Sequence, residues 1–427
     1  MKETKYVLSI GYADYRYSIG GTAKVIAAHS KMFSENEIGY LFLFPVNLSH
    51  SHPLKNNPFW GIVEDGELKG VFHINGILRY LERLDNDGKS LLCVHLHHLL
   101  NINYNDLKYL LASIKGNVYL YVHDYYSVCV STNLLRSDTN ELCHGKLDTQ
   151  KCSGCRYFTD SLKIKKTIRD ITGSISGEYC FVCPSKVAED FFRIGYPEYA
   201  NKTKVIYHQK LIYGYNKNRN VHVPLRVAFL GSPLAIKGWN QFQKIVNMYA
   251  ESNEYRFFYF GKRSIDTINA THINVEFKDN LNAMVDAVRE KEIDCAILWS
   301  TWPETYSYTY YEALASNCYV ISNKYSGNIQ FQIERRQNGI VLDNDRELFH
   351  LFSDARALTE IVKTYKSNSL KVPLRLEENE EIVPLSMDTP AELSLSRQNI
   401  RDGIVCKACD RLWTMLYRWR YNKWINT

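Results

Sequence analysis

Short apolar runs recur along the chain, each bounded by polar, Gly or Pro residues. Residues 4–10 (TKYVLSI), 38–46, 91–97, 117–123 (NVYLYVH), 178–184 and 205–208 form one series. Residues 225–231, 257–261, 295–299, 319–322 and 339–342 form a second. Runs this short and this uniformly apolar fit strands buried in a parallel sheet. The stretches between them predict helices. One runs from about Thr22 to Phe33, with Ala23, Ile26, Ala27 and Phe33 as its apolar positions. Others cover 161–175, the stretch opened by Lys237-Gly238-Trp239 as far as about Tyr249, 307–316, and Asn328 to about Arg336. The pattern predicts an α/β protein with one unit over 1–218 and another over 219–367, joined by a polar stretch at 216–220. Residues 371–397 are polar, acidic in EENEE, and carry three prolines, which predicts an extended or partly disordered linker. A last helix is expected at 404–425, inside a third part covering 368–427.

One stretch concentrates chemistry. From Asp294 to Asn328 an apolar strand leads into a small-residue loop, a helix and a second strand. Glu304 stands at the mouth of that helix and Glu312 about two turns along it. The backbone N–H groups of Thr305, Tyr306 and Ser307 lie at the helix start, where the dipole is positive and phosphate is favoured. Carboxylates beside them can accept from sugar hydroxyls. A nucleotide-sugar requires that combination.

The spacing Glu304 to Glu312, followed by Ala313-Leu314-Ala315 and a strand, resembles the E-x7-E signature of retaining GT-B glycosyltransferases, especially the large family four. The resemblance covers the chain to about residue 365 and implies two Rossmann-like domains facing a central cleft. It implies that Glu304 and the amides of Thr305, Tyr306 and Ser307 hold the donor sugar, and that Glu312 holds the ribose. Where the family has a Gly-rich loop, this sequence reads Thr305-Tyr306-Ser307. Gly20-Gly21, after the first strand, resembles the loop that lines the family's cleft. Lys237-Gly238 matches the lysine that clamps the donor pyrophosphate. Ser232 occupies the place of the usual arginine, and Lys262 or Arg263 are candidates to replace it. His123, at the carboxyl end of its strand, falls where a family histidine faces the donor sugar, and Asp124 is expected to support it or face the acceptor.

Cys129, Cys143, Cys152 and Cys155, with His144 among them, interrupt the first unit. Cys152-Ser-Gly-Cys155 has the spacing of a metal knuckle, and two more thiols complete a candidate structural zinc site; free thiols in a loop are the other reading. A similar cysteine run occurs in family-four enzymes of polysaccharide biosynthesis. His95, His97 and His98 lie close in sequence, and a core or cleft-lining role is preferred to a metal site.

Composition adds limits. The chain has 427 residues, 45% hydrophobic, with net charge +6. That length fits two domains, and the mild charge does not call for nucleic acid. Eleven cysteines in a chain with no recognisable signal peptide read as core residues or metal ligands before disulfides. No apolar run approaches about 20 residues, so no membrane-spanning helix is expected. A cytoplasmic protein is expected, with the basic helix 161–175 (Lys163, Lys165, Lys166, Arg169) and the Trp- and Arg-rich tail as candidates for the inner membrane face. The tail has a second reading, as a helix packed back on the first unit.

The expected activity is transfer of a hexose from a UDP- or GDP-linked donor to a growing surface glycan, free or lipid-linked, with retention and no metal in the cleft. Two alternatives share the fold: a nucleotide-sugar epimerase, and a non-catalytic partner in glycan assembly.

Overall fold

The computed structural model describes residues 4–18, 20–46, 58–215, 220–262, 265, 268–277, 280–368, 371–387, 391–393 and 404–425. The first half contains β1 (Thr4–Ile10), β2 (Gly39–Pro45), β3 (Trp60–Glu64), β4 (Glu67–Phe72), β5 (Lys89–Leu96), β6 (Ile114–Lys115), β7 (Val118–Tyr121), β8 (Tyr179–Cys183) and β9 (Thr203–Val205). Its eight-stranded sheet has the order β4-β3-β2-β1-β5-β7-β8-β9. All neighbours run parallel except β2-β3 and β3-β4, an antiparallel hairpin at one edge. The hairpin was not foreseen; its turn is Asp65-Gly66, both at positive φ, the geometry of a tight two-residue hairpin.

After β10 (Gln209–Tyr215), the second half contains β11 (Leu225–Leu230), β12 (Tyr255–Phe260), β13 (Thr271–Ile273), β14 (Cys295–Ile297), β15 (Tyr319–Asn323) and β16 (Gly339–Leu342). These six form a parallel sheet in the order β13-β12-β11-β14-β15-β16. The strands are apolar on both faces because helices cover both: Val227 and Phe229 face one core, Ala228 and Leu230 the other.

The described residues of the stretch expected as a linker, 371–387 and 391–393, are built into the fold. β17 (Lys371–Glu378) pairs antiparallel with β10, and β18 (Glu392–Leu393) with β6. Val372, Leu376, Ile382 and Val383 are buried. The acidic run masked an alternation of apolar residues long enough to cross between the halves.

The helix Ile404–Ile425 then lies on the first half. Thr414 Oγ1 accepts from Val71 N of β4 at 2.8 Å, Asp410 accepts from His73 N at 3.1 Å, and the Tyr417 hydroxyl donates to Asp14 at 2.9 Å. Trp413 stacks on Phe59 at 4.4 Å. Its described residues therefore follow the packed-back reading; Trp424, Arg420 and Lys423 have no described side chain. On the basic helix Phe158–Thr172, Lys163 pairs with Asp160 and Arg169 with Glu198, which reduces its net charge. Among the described residues, no helix is long and apolar enough to cross a membrane.

Candidate active site

Two turns at the carboxyl ends of β11 and β14 build the centre of the site. After β11 the chain makes a single helical turn, Ala235–Lys237, and reverses at Gly238 with φ 87°. A Cβ at Gly238 would stand 2.4 Å from Trp299 Cβ, so glycine is required by both conformation and space. The loop after β14 is tied to this turn: Thr301 N donates to Ile236 O at 3.0 Å. From the other side Gly327, φ 62°, packs where a Cβ would fall 2.6 Å from Glu304 N, and Asn328 N donates to Glu304 O at 2.9 Å. Locked between these supports, Glu304 is 2% exposed. Lys237 Nζ donates to its Oε1 in a close ion pair, and the same ammonium lies 5.1 Å from the Trp302 ring centre.

The helix that follows is Tyr308–Ala315, capped by Ser307, whose Oγ accepts from Tyr310 N. The side chains before it serve the fold. Thr305 Oγ1 donates across the domain boundary to His123 O at 2.6 Å, and the Tyr306 ring stacks on Tyr311 at 4.5 Å. Among the described residues, no protein group accepts from the Thr305, Tyr306 or Ser307 amides.

Glu312 lies on the same helix, 1% exposed. Its Oε1 has no hydrogen-bond partner; Lys24 Nζ, from the first domain, stands 3.7 Å away. Burial raises the Glu312 carboxyl above its ordinary range, and Lys24 only partly offsets this. Lys24 also sits over the Tyr308 ring at 4.2 Å and Phe277 at 4.6 Å. Gly20 and Gly21 are exposed at the start of helix Gly21–Glu35, and a Cβ at Gly21 would meet Tyr308 at 3.9 Å. The glycine turn of one domain thus faces the helix start of the other.

His123 follows β7. Its Nε2 is 2.9 Å from His97 Nδ1, and its ring stacks on His97 at 5.1 Å and Tyr121 at 5.4 Å. Burial holds His123 well below the usual imidazole range, so the ring is neutral near pH 7. Asp124 accepts from His98 Nε2 and from Tyr126 N. Ser232 is exposed just past β11, Lys262 is exposed, and Arg263 lies outside the described residues.

Sequence reasoning missed three participants. Lys24 was visible only as a lysine three residues after Gly21. Glu378, at the end of β17, is raised by burial with Lys24 nearby; it sat in the run read as a linker. Trp302 carries a buried Nε1–H with no partner beside Lys237. None of the three has a local pattern that marks it.

Cys129, Cys143, Cys152 and Cys155 line one small cavity. Their sulfurs accept hydrogen bonds: Cys129 from Ser161 Oγ at 3.2 Å, Cys152 from Asp148 N at 3.5 Å, Cys155 from Ser137 Oγ at 3.6 Å, and Cys143 from the Gly145 amide. Burial pushes the Cys155 thiol up, but the Ser137 and Tyr157 donors outweigh it and the net shift is down. The thiols do not draw together as tightly as three histidines do. Among the described residues, only His29, His95 and His97 bring three or more His, Cys, Asp or Glu ligand atoms within 4.8 Å of one another.

No family model and no curated protein matches the chain. Solved structures do. The chain is similar to sucrose-phosphate synthase from Thermosynechococcus elongatus at 12% identity, with 90% of this chain and 97% of that one covered and a TM-score of 0.53. It is also similar to Anabaena HepE in complex with UDP and glucose (12% identity, 85% and 92% covered, TM-score 0.48). A GtfA/B complex gives 10% identity, 86% and 96% covered, and a TM-score of 0.49. At such identities the likeness is one of fold. The chain has the GT-B fold, two Rossmann-like domains across a cleft.

Proposed function

We propose that the protein is a glycosyltransferase that moves a hexose from a UDP- or GDP-linked donor to a hydroxyl of a growing surface glycan, with retention at the anomeric carbon. The observation that carries this reading is the Lys237–Glu304 pair in the turn before helix Tyr308–Ala315, beside the Thr305, Tyr306 and Ser307 amides, which have no acceptor among the described residues. Without ligand, ammonium and carboxylate neutralise each other. A donor would separate their tasks: its diphosphate takes Lys237 and the amides of Thr305, Tyr306 and Ser307, and its sugar hydroxyls donate to Glu304. Glu312 Oε1, lacking a hydrogen bond, is suited to the ribose hydroxyls, with Gly20, Gly21 and Lys24 opposite. As the glycosidic C–O bond breaks, negative charge grows on the leaving diphosphate, and fixed dipoles and Lys237 stabilise it without reorganising. Neutral His123 can donate to a sugar hydroxyl, because the other ring nitrogen is held by His97. Ser232 can add one hydroxyl contact but no charge. No step here requires a cation in the cleft.

The test is a hydrolysis screen over UDP- and GDP-hexoses, with the product anomer read by NMR. One donor should release free sugar with its anomeric configuration kept, and Lys237→Ala and Glu304→Gln should remove the activity. An inverted product overturns retention, and a Lys237→Ala variant as active as the parent overturns the donor assignment.

We also propose that Cys129, Cys143, Cys152 and Cys155 hold a structural zinc. Four sulfurs line one small cavity, the ligand type of a closed zinc site, although no three of them lie within 4.8 Å of one another and they would have to close on the ion. The ion would fasten the insertion, whose Leu142 and His144 line an open cavity beside Pro303. That cavity gives an acceptor an approach from the first domain. A Cys152→Ser protein should contain one equivalent of zinc less than the parent; equal contents refute the site.

A further inference from the structure

Five histidines gather beneath the cleft: His29 from helix Gly21–Glu35, His95 and His97 at the end of β5, His123, and His208. The proposed transfer uses only His123. His29 is 6% exposed, and His95 and His97 are fully buried. Buried imidazoles normally satisfy both nitrogens. Here His29 Nδ1 and His97 Nε2 are both buried without a partner. Leaving such an atom unpaired is costly in a folded protein, and this fold places two of them in one cluster.

We propose that His29, His95 and His97 bind a divalent transition-metal ion of the zinc class through their ring nitrogens. The ring centroids form a near-equilateral triangle of 5.9, 5.3 and 6.1 Å, with interplanar angles of 75°, 54° and 65°. An ion about 2.1 Å from each nitrogen, hence ~3.2 Å from each ring centre, sets tetrahedrally arranged rings about 5.2 Å apart. The ligand atoms already lie within 4.8 Å of one another. Closing on an ion would move each inward by under about 1 Å.

Neighbouring groups set which ring nitrogen of each histidine carries the lone pair. Ser386 Oγ donates to Ile382 O at 2.7 Å, so it accepts from His95 Nε2–H at 3.0 Å and leaves His95 Nδ1 as the acceptor. The Tyr121 hydroxyl donates to that nitrogen at 3.3 Å, so an ion would displace this hydrogen bond when it takes the lone pair. His97 Nδ1 shares a proton with His123 Nε2, and its own Nε2 is free of other partners. This is the arrangement in which a ligating histidine passes its second N–H to a supporting group. Three neutral nitrogens suit zinc, cobalt, nickel or copper and disfavour magnesium and calcium. An ion here would join the glycine-turn helix to β5. It would also hold the proton of His97 on Nδ1, so that His123 receives it at Nε2 and keeps its own proton on Nδ1.

The test uses the full chain carrying Cys152→Ser, which removes any thiolate site, stripped with a chelator and titrated with Co2+ and then Zn2+. One equivalent of Co2+ should bind with a tetrahedral visible spectrum and no sulfur charge-transfer band, and Zn2+ should displace it and raise the melting temperature. Adding His29→Gln or His97→Gln should weaken binding at least about 100-fold, and adding Ser386→Ala roughly 10-fold. The melting-temperature rise needs no histidine variant, so it decides the matter even if those variants fold poorly. No uptake of either ion, or the same affinity in His29→Gln, overturns the proposal.

Discussion

Asp294 and Glu304 bracket the same strand. Asp294 immediately precedes β14 and Glu304 lies beyond its carboxyl end; both are nearly inaccessible, at 0% and 2% exposed, and each pairs with a lysine. Their surroundings differ in completeness. Asp294 accepts from Lys366 Nζ at 2.7 Å, Arg226 N at 3.1 Å and His222 N at 3.2 Å, with the His222 ring alongside. Lys366 also reaches Asn220 O. Among the described residues, the Glu304 side chain has Lys237 alone, and three amides nearby have no acceptor. A buried charge whose valences are filled by its own chain holds the fold together. One whose valences are left open is, on the proposed reading, the one that meets the donor.

The largest expected effect tests the filled end. Asp294→Asn or Lys366→Met leaves an uncompensated group among buried partners and should cost about 3–5 kcal/mol of stability. Urea denaturation measures it, and turnover per folded molecule should stay at the parent value. A variant that unfolds no more easily but loses turnover would show that the two ends of β14 are not divided as argued.

The open end should respond in the opposite sense. Lys237→Ala and Glu304→Gln should each remove about 2–4 kcal/mol of transition-state stabilisation, read from kcat/KM. Stability does not stay entirely aside, as a purely ligand-facing lysine would allow. Lys237→Ala strands the buried Glu304 carboxylate and should cost about 1–2 kcal/mol, moderated because the lysine side chain is 37% exposed. The double variant should regain most of that loss, since a neutral glutamine needs no cation. Strict additivity of the two stability changes would refute the pairing.

Much of this comparison was legible in the sequence, for physical reasons that vary by element. β16 and helix Asn328–Arg336 match the pattern because short apolar runs and a clear helical stretch leave little choice. Glu304, Glu312 and Lys237 could be singled out as candidates because spacing fixed by a strand, a turn and a helix survives in one dimension. Lys24 and Glu378 were not, because their meaning comes from the opposite domain and from a crossover strand. His29 stayed silent for the same reason: it meets His95 and His97 only when its helix packs on β5. The stretch read as a linker failed differently. Its acidic residues dominated the composition, while Val372, Leu376, Ile382 and Val383 carried the packing.

The smallest effect concerns Glu312, where the comparison becomes a trade between stability and binding. Burial raises its carboxyl, and Lys24 at 3.7 Å only partly compensates. A carboxyl raised on folding favours the folded state fully only below its unfolded value, and that advantage is lost as pH rises through the folded value. Wherever Glu312 is ionised, its charge therefore opposes folding. Glu312→Gln keeps the shape and removes the charge, so it should gain about 1 kcal/mol at neutral pH. The gain should shrink as pH falls through the ordinary carboxylate range and vanish below it. Donor affinity should fall in the same variant, because the ribose loses its charged acceptor. Melting curves from pH 4 to 8 with calorimetric titration of UDP and GDP read both at once. A variant that is less stable at pH 7, or equally stabilised at every pH, would place Glu312 with Asp294 among the fold's own filled charges.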